Sequence, residues 1–167
     1  MKVARSTAVV SAVVLLLASS SPVVAQDVDM HPAAVLGWAL NEAHVADGES
    51  EEVDSVLQRR GPQYSYDWVA TDPRLVGHAV WTGNGNRFRS DPFFEVQRSN
   101  WEVSGEGGSW IGEGTGLQGA GLGEQDAIIL TGQGAYEGLT AYLVLDWSLG
   151  GGRFRGAIFP GEMPPQP

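Results

Sequence analysis

From residue 56 to residue 159 the chain is a succession of short alternating runs separated by turn residues, a pattern that leaves little room for helix. Side chains of a strand point to opposite faces in turn, so a polar–apolar period of two marks a half-buried strand. Tyr64, Tyr66 and Trp68 alternate with Gln63, Ser65, Asp67 and Val69 in this way. Thr71-Asp72-Pro73-Arg74 reads as a turn, because the Asp carboxylate bonds back to the main chain and Pro73 pre-sets φ. Residues 75–81 read as the next strand. Gly83-Asn84-Gly85-Asn86 reads as a hairpin turn, since those residue types tolerate positive φ. Further runs at 93–103, 110–117, 127–132, 139–147 and 153–159 complete the series, with glycine-rich segments between them. Residues 35–45 have mixed periodicity and fit a strand or a short helix. The pattern predicts an all-β fold of eight or nine antiparallel strands.

Glycine placement carries the prediction further. Seventeen of the 23 glycines fall between residues 105 and 161, and Gly112, Gly114 and Gly116 recur at every second residue. A strand bare on one face suits a tight bend or the close approach of other atoms. Such bends let a sheet coil onto itself, and a closed barrel leaves no sticky edges. An antiparallel barrel is therefore the expected architecture, with a two-sheet sandwich as the alternative.

The N-terminus predicts export. Lys2 and Arg5 precede an apolar stretch at residues 8–18, and Val23-Val24-Ala25 offers small residues before a cut at Gln26. That stretch is well short of the roughly 20 residues that span a bilayer. The expected organisation is a signal peptide at 1–25, a lead-in with a first strand and an acidic loop at 26–55, the barrel at 56–160 and a Pro-rich tail at 161–167. The expected location is outside the cytoplasm, with no membrane span left after cleavage. Removing the signal leaves eight arginines and no lysine against twenty acids, a charge of −12. So acidic a chain repels phosphate backbones, which argues against nucleic-acid binding. The absence of cysteine excludes disulfides, thiolate metal sites and a cysteine nucleophile. Asp47, Glu49, Glu51, Glu52 and Asp54 read as a solvated loop; Gly48 comes too early for a calcium loop.

Four segments occur in a suggestive order. They are Asp72-Pro73-Arg74-Leu75-Val76-Gly77, Gly107-Gly108-Ser109-Trp110-Ile111-Gly112, Gly132-Gln133-Gly134-Ala135-Tyr136-Glu137-Gly138-Leu139 and Ile158-Phe159-Pro160-Gly161-Glu162. Together they resemble the pattern of a group of uncharacterised secreted bacterial proteins. The segment Gly134-Ala135-Tyr136-Glu137-Gly138 is also similar to one in the allene oxide cyclase and dirigent-type barrels. The resemblance covers about residues 57–165 and implies an eight-stranded barrel around a central cavity. It transfers no activity, because no set of residues here maps onto the sites of those enzymes. Gly132, Gly134, Tyr136, Glu137 and Gly138 are read as a structural turn that closes the barrel.

Familiar catalytic motifs fail on context. Ile111 stands where a serine nucleophile elbow needs its second glycine. Gly112-Glu113-Gly114-Thr115-Gly116 lacks the Lys-Ser/Thr ending and the helix of a phosphate loop. His31, His44 and His78 share no metal-ligand spacing, so no metal and no cofactor is expected. His78 lies mid-strand between Val76 and Val80, where a hydrogen-bonded structural histidine competes with a titrating one. Glu95 and Glu102 sit at odd spacing and therefore on opposite faces. Arg87 and Arg89 flank Phe88, and Arg153 and Arg155 flank Phe154; the cost of burying charge favours arginines outward.

Three functions stay open on the sequence. The first is a non-catalytic barrel that binds a small apolar ligand, with Tyr64, Tyr66, Trp68 and Trp81 as candidate lining. The second is a cofactor-free cyclase or isomerase with Tyr66, His78, Glu95 or Arg98 inside the barrel. The third is a structural envelope protein with a filled core.

Overall fold

The computed structural model describes residues 29–121, 123–148 and 151–163. The expected signal peptide and the last residues of the expected tail lie outside them. The described residues form nine strands: β1 (Ala33–Ala46), β2 (Glu49–Val53), β3 (Val56–Ala70), β4 (Gly77–Phe88), β5 (Phe94–Ser104), β6 (Gly108–Gly119), β7 (Gly123–Gly134), β8 (Leu139–Asp146) and β9 (Gly152–Pro160). From β3 to β9 each strand pairs antiparallel with the next. β1 then pairs with both β9 and β3, which closes an eight-stranded ring. The fold is an antiparallel barrel, not a sandwich.

β2 stands outside the ring. It pairs with the N-terminal half of β3, while β1 pairs with the C-terminal half, so β2 continues the line of β1 past Gly48. The expected acidic loop is thus a strand, although every residue of it is exposed as a solvated run should be. Its turn into β3 falls on Asp54 and Ser55, both at positive φ.

The inward face is apolar and aromatic through most of the barrel. Trp68, Trp101, Trp110, Ile128, Leu130, Leu143, Leu145, Phe154 and Ile158 are all at most 2% exposed. Trp68 packs against Phe154 at 4.6 Å and Trp101 at 5.5 Å between ring centres. As the alternation in the sequence implies, Leu139, Ala141, Leu143 and Leu145 all face in along β8. The segment Gly83-Asn84-Gly85-Asn86 corrects an expectation, because it lies inside β4 and not at a turn. Gly83 and Gly85 are inward positions that carry no side chain because their neighbours fill the space. A Cβ on Gly83 would meet the Trp81 ring at 1.9 Å, and one on Gly85 would meet the Glu95 carboxylate at 2.0 Å.

One end of the barrel is sealed. The expected turn at Asp72 opens a 3₁₀ turn at Pro73–Leu75, capped by the Asp72 side chain, and Leu75 is fully buried. The Arg74 guanidinium sits 2.6 Å from Asp72 and holds that carboxyl below its ordinary range. The Trp110 indole N–H donates to the Arg74 carbonyl at 2.7 Å, and Tyr136 stacks on Trp110 at 5.3 Å. Tyr136 is held there by the β7–β8 turn, in which Gly134 and Gly138 take positive φ. Three of the four segments that carry the resemblance therefore meet at the sealed end.

Candidate functional site

At the other end the interior is open. A cavity of about 340 Å³ lies where β3, β5 and β7 begin. Its position follows from two irregularities. In β3 the pairing slips between Arg60 and Gln63 around Gly61, whose φ is +73°. A bulge changes the phase of alternation. Arg59 faces in before the slip, and Tyr64 and Tyr66 face in after it, all three lining the cavity. A second slip in β1, between Leu40 and Ala43, brings Glu42 to the same mouth.

A chain of polar contacts crosses the cavity. Glu95 is 1% exposed, accepts a hydrogen bond from Arg87 Nε at 2.8 Å and lies 3.6 Å from Arg59. Arg87 also donates to Gln118 at 3.3 Å, and Gln118 donates to Glu124 at 3.2 Å. The Gln97 amide nitrogen then donates to Glu124 at 2.8 Å and to Asp126 at 3.2 Å. Gln97 and Asp126 belong to β5 and β7, the two neighbours of β6, and both register on Gly116 between them. A Cβ there would lie 1.9 Å from the Asp126 carboxylate and 2.8 Å from the Gln97 amide. The expected bare strand face is real, and at Gly116 it lets these two side chains meet.

The carboxylates differ in charge balance. Glu95 has two arginines, whereas no ion pair reaches Glu124 or Asp126 among the described residues. Burial, and then the charge of Glu124, push the Asp126 carboxyl up to about 6, against hydrogen bonds from Gln97 and Trp147. Burial likewise raises Glu124, with Glu95 and Glu42 adding to it. The Tyr66 hydroxyl is pushed well above its ordinary value by burial and by nearby acids, with no hydrogen bond opposing the shift. It is a neutral donor facing the cavity.

Aromatic rings form the remaining wall. Tyr64 and Trp81 lie 5.8 Å apart, Tyr66 and Trp147 5.1 Å, and Tyr66 and Trp101 6.0 Å. Of the candidates named from sequence, Tyr64, Tyr66 and Trp81 line this cavity, while Glu95 is buried beside it and holds Arg59 and Arg87, which do line it. Trp68 lies deeper, in the packed core. His78 and Arg98 are on the outer wall, His78 facing Asp67 at 3.6 Å. Arg87 faces in, against expectation, because Glu95 neutralises it; Arg153 and Arg155 face out as expected. Glu124, Asp126, Arg59 and Trp147 escaped the sequence reading. One signal was there for Asp126, an acid in phase with Ile128 and Leu130 on the inward face of β7.

A wider groove of about 700 Å³ lies at the sealed end, but its charged pair, Asp72 and Arg74, is already mutually satisfied. Among the described residues no group of three His, Asp or Glu side chains could hold a metal ion, and no helix is long and apolar enough to cross a membrane. No family model matches the chain, and neither a curated protein nor a solved structure is significantly similar to it.

Proposed function

We propose that this is a secreted binding protein that takes a small ligand into the open mouth of its barrel. The observation that carries the reading is the division of the interior into a packed, sealed half and an open half lined by convergent polar and aromatic groups. A pocket of this kind, with a few placed polar groups among rings, is the ordinary form of a small-molecule site. The ligand has a polar part, in contrast to the apolar ligand that the aromatic content suggested, because Gln97, Gln118, Glu124 and Asp126 face it from β5, β6 and β7, together with Arg59 and Arg87. Native mass spectrometry of protein purified from its source tests this. The expected result is a retained small molecule whose removal changes the fluorescence of Trp81, Trp101 and Trp147. Protein that carries nothing, and whose fluorescence saturates with no compound of a broad panel, would defeat it.

A cofactor-free cyclase or isomerase is the second reading, and Asp126 is what favours it. A carboxyl that titrates near neutrality beside a neutral tyrosine hydroxyl is suited to proton transfer. Here Asp126→Asn should abolish turnover of the retained compound while leaving its binding within a few-fold. Undiminished turnover would remove Asp126 from that role.

A further inference from the structure

We infer that the mouth cavity accepts an organic ammonium ion, a cation that carries alkyl groups. The inference rests on the reading that this cavity is the binding site. It begins from what the cavity lacks. Both arginines that line it are engaged with Glu95, at 2.8 and 3.6 Å. Glu42, Glu124 and Asp126 share the same space, and no ion pair reaches any of them among the described residues. A cation entering between them gains attraction in a partly desolvated site where Coulomb terms are stronger than in water. An anion meets repulsion, and a neutral molecule leaves the acids as they were.

The walls select the kind of cation. Trp81, Trp147, Tyr64 and Tyr66 line the cavity, and aromatic rings attract ammonium groups through the ring quadrupole. A bare metal ion would need oxygen ligands placed around it, whereas alkyl groups on nitrogen match the rings that are there. A separate observation points to a ligand with a donor or acceptor of its own. Tyr66 is only 6% exposed and lines the cavity, and among the described residues its hydroxyl makes no hydrogen bond. A hydroxyl that opens on the cavity can donate to, or accept from, a polar group of a ligand. A small quaternary amine with a hydroxyl arm would meet the acids, the rings and Tyr66 together.

The experiment is calorimetric titration of the full-length purified protein at pH 7.5 and low salt. The probes are choline, its neutral isostere 3,3-dimethyl-1-butanol, the anionic 3,3-dimethylbutyrate and glucose. Choline should bind saturably, and the isostere at least about tenfold more weakly, the size of one desolvated cation–π contact. The Glu124→Gln/Asp126→Asn double variant should lose about tenfold or more for choline and nothing for the isostere. Its melting curve shows that it is folded, and Trp147→Leu, which leaves the acids in place, should also weaken choline. Equal binding of choline and isostere overturns the inference, as does a folded double variant that binds choline like the parent. If choline fails while glucose or the butyrate binds, the ammonium inference falls and the cavity as a binding site stands. If all four fail and native purification yields no bound compound, both fall.

Discussion

Asp126 is the residue at which the cost of this architecture is concentrated. It is 1% exposed, has no cation partner among the described residues, and burial pushes its carboxyl up to about 6 from 3.8. The folded chain therefore binds this proton more tightly than the unfolded chain does. The stabilisation is fully present below about pH 3.8 and is lost as pH rises through about 6, on the order of 3 kcal/mol in all. Asp126→Asn should then melt higher than the parent at pH 8, and the gap should close by about pH 4. A gap that is constant with pH would show that charge burial is not its cause. Glu95 makes the opposite case. It is just as buried but holds Arg87 and Arg59. Arg87→Gln should cost roughly 2–3 kcal/mol by denaturant unfolding, and adding Glu95→Gln should recover part of that, because breaking a buried pair costs more than removing it. A double variant less stable than the single one would contradict this. Tyr66 was legible in the sequence because it is in phase with the aromatic run Tyr64, Tyr66 and Trp68, and Glu95 because it is an acid inside a strand. His78 and Arg98 were misplaced for a physical reason. The apolar neighbours of His78 in alternation, Val76 and Val80, suggested an inner face, yet the inner positions of β4 are Ala79, Trp81 and two glycines.

At the scale of the strand, phase decides everything, and phase is what bulges alter. The strands themselves were readable: β5 to β9 fall within a few residues of the expected runs. The slip at Gly61 was not, since a single glycine before Pro62 gives no sign that pairing shifts by one residue. Yet that slip sets Arg59 and Tyr64 on the same inner face. The site was only half legible because alternation was read as unbroken. Gly61 has a φ of +73° and open space where a Cβ would stand. Gly61→Ala should therefore cost only about 1 kcal/mol, the strain of a left-handed residue without a clash. Deleting Gly61 is a different change. It would restore regular alternation and turn Leu57 and Arg59 outward, or else force Tyr64, Tyr66 and Trp68 out of the core. The deletion should lower the melting point far more than Gly61→Ala does. Equal effects would mean that the bulge does not set the phase. At the β7–β8 turn, Gly134 has φ of +66° with no close neighbour, so Gly134→Val should cost roughly 1–3 kcal/mol. Glu137 is exposed at the sealed end, far along the strands from the mouth, so Glu137→Gln should leave both melting and ligand retention nearly unchanged.

For the whole molecule the governing quantity is its charge, −10 on the full sequence, with acids twice as numerous as basic residues. Salt acts on such a protein in two opposite ways. It screens repulsion among like charges, which stabilises the compact state, and it screens favourable ion pairs, which destabilises it. The pairs available to the second effect are weak or protected. Arg89–Glu52 is an exposed pair of the kind worth about 0–1 kcal/mol, while the pairs at Glu95 and Asp72 are buried and screened little. Repulsion is concentrated where β2 lies, because Glu49, Glu51 and Glu52 are all exposed there. Glu42 and Glu124 add to it at the neighbouring mouth. Added sodium chloride should therefore raise the melting point, with most of the rise complete by a few tenths molar, where the Debye length has fallen to roughly 5 Å. General salting effects would continue to rise beyond that range, so the shape of the curve separates the two. The location is testable as well. Glu49→Gln/Glu51→Gln removes two charges from a strand that buries nothing, so no core contact changes. That variant should melt higher than the parent at low salt and converge with it at high salt. A parent whose melting point falls on adding salt, or a variant that gains equally at every salt concentration, would show that self-repulsion is not what limits this barrel.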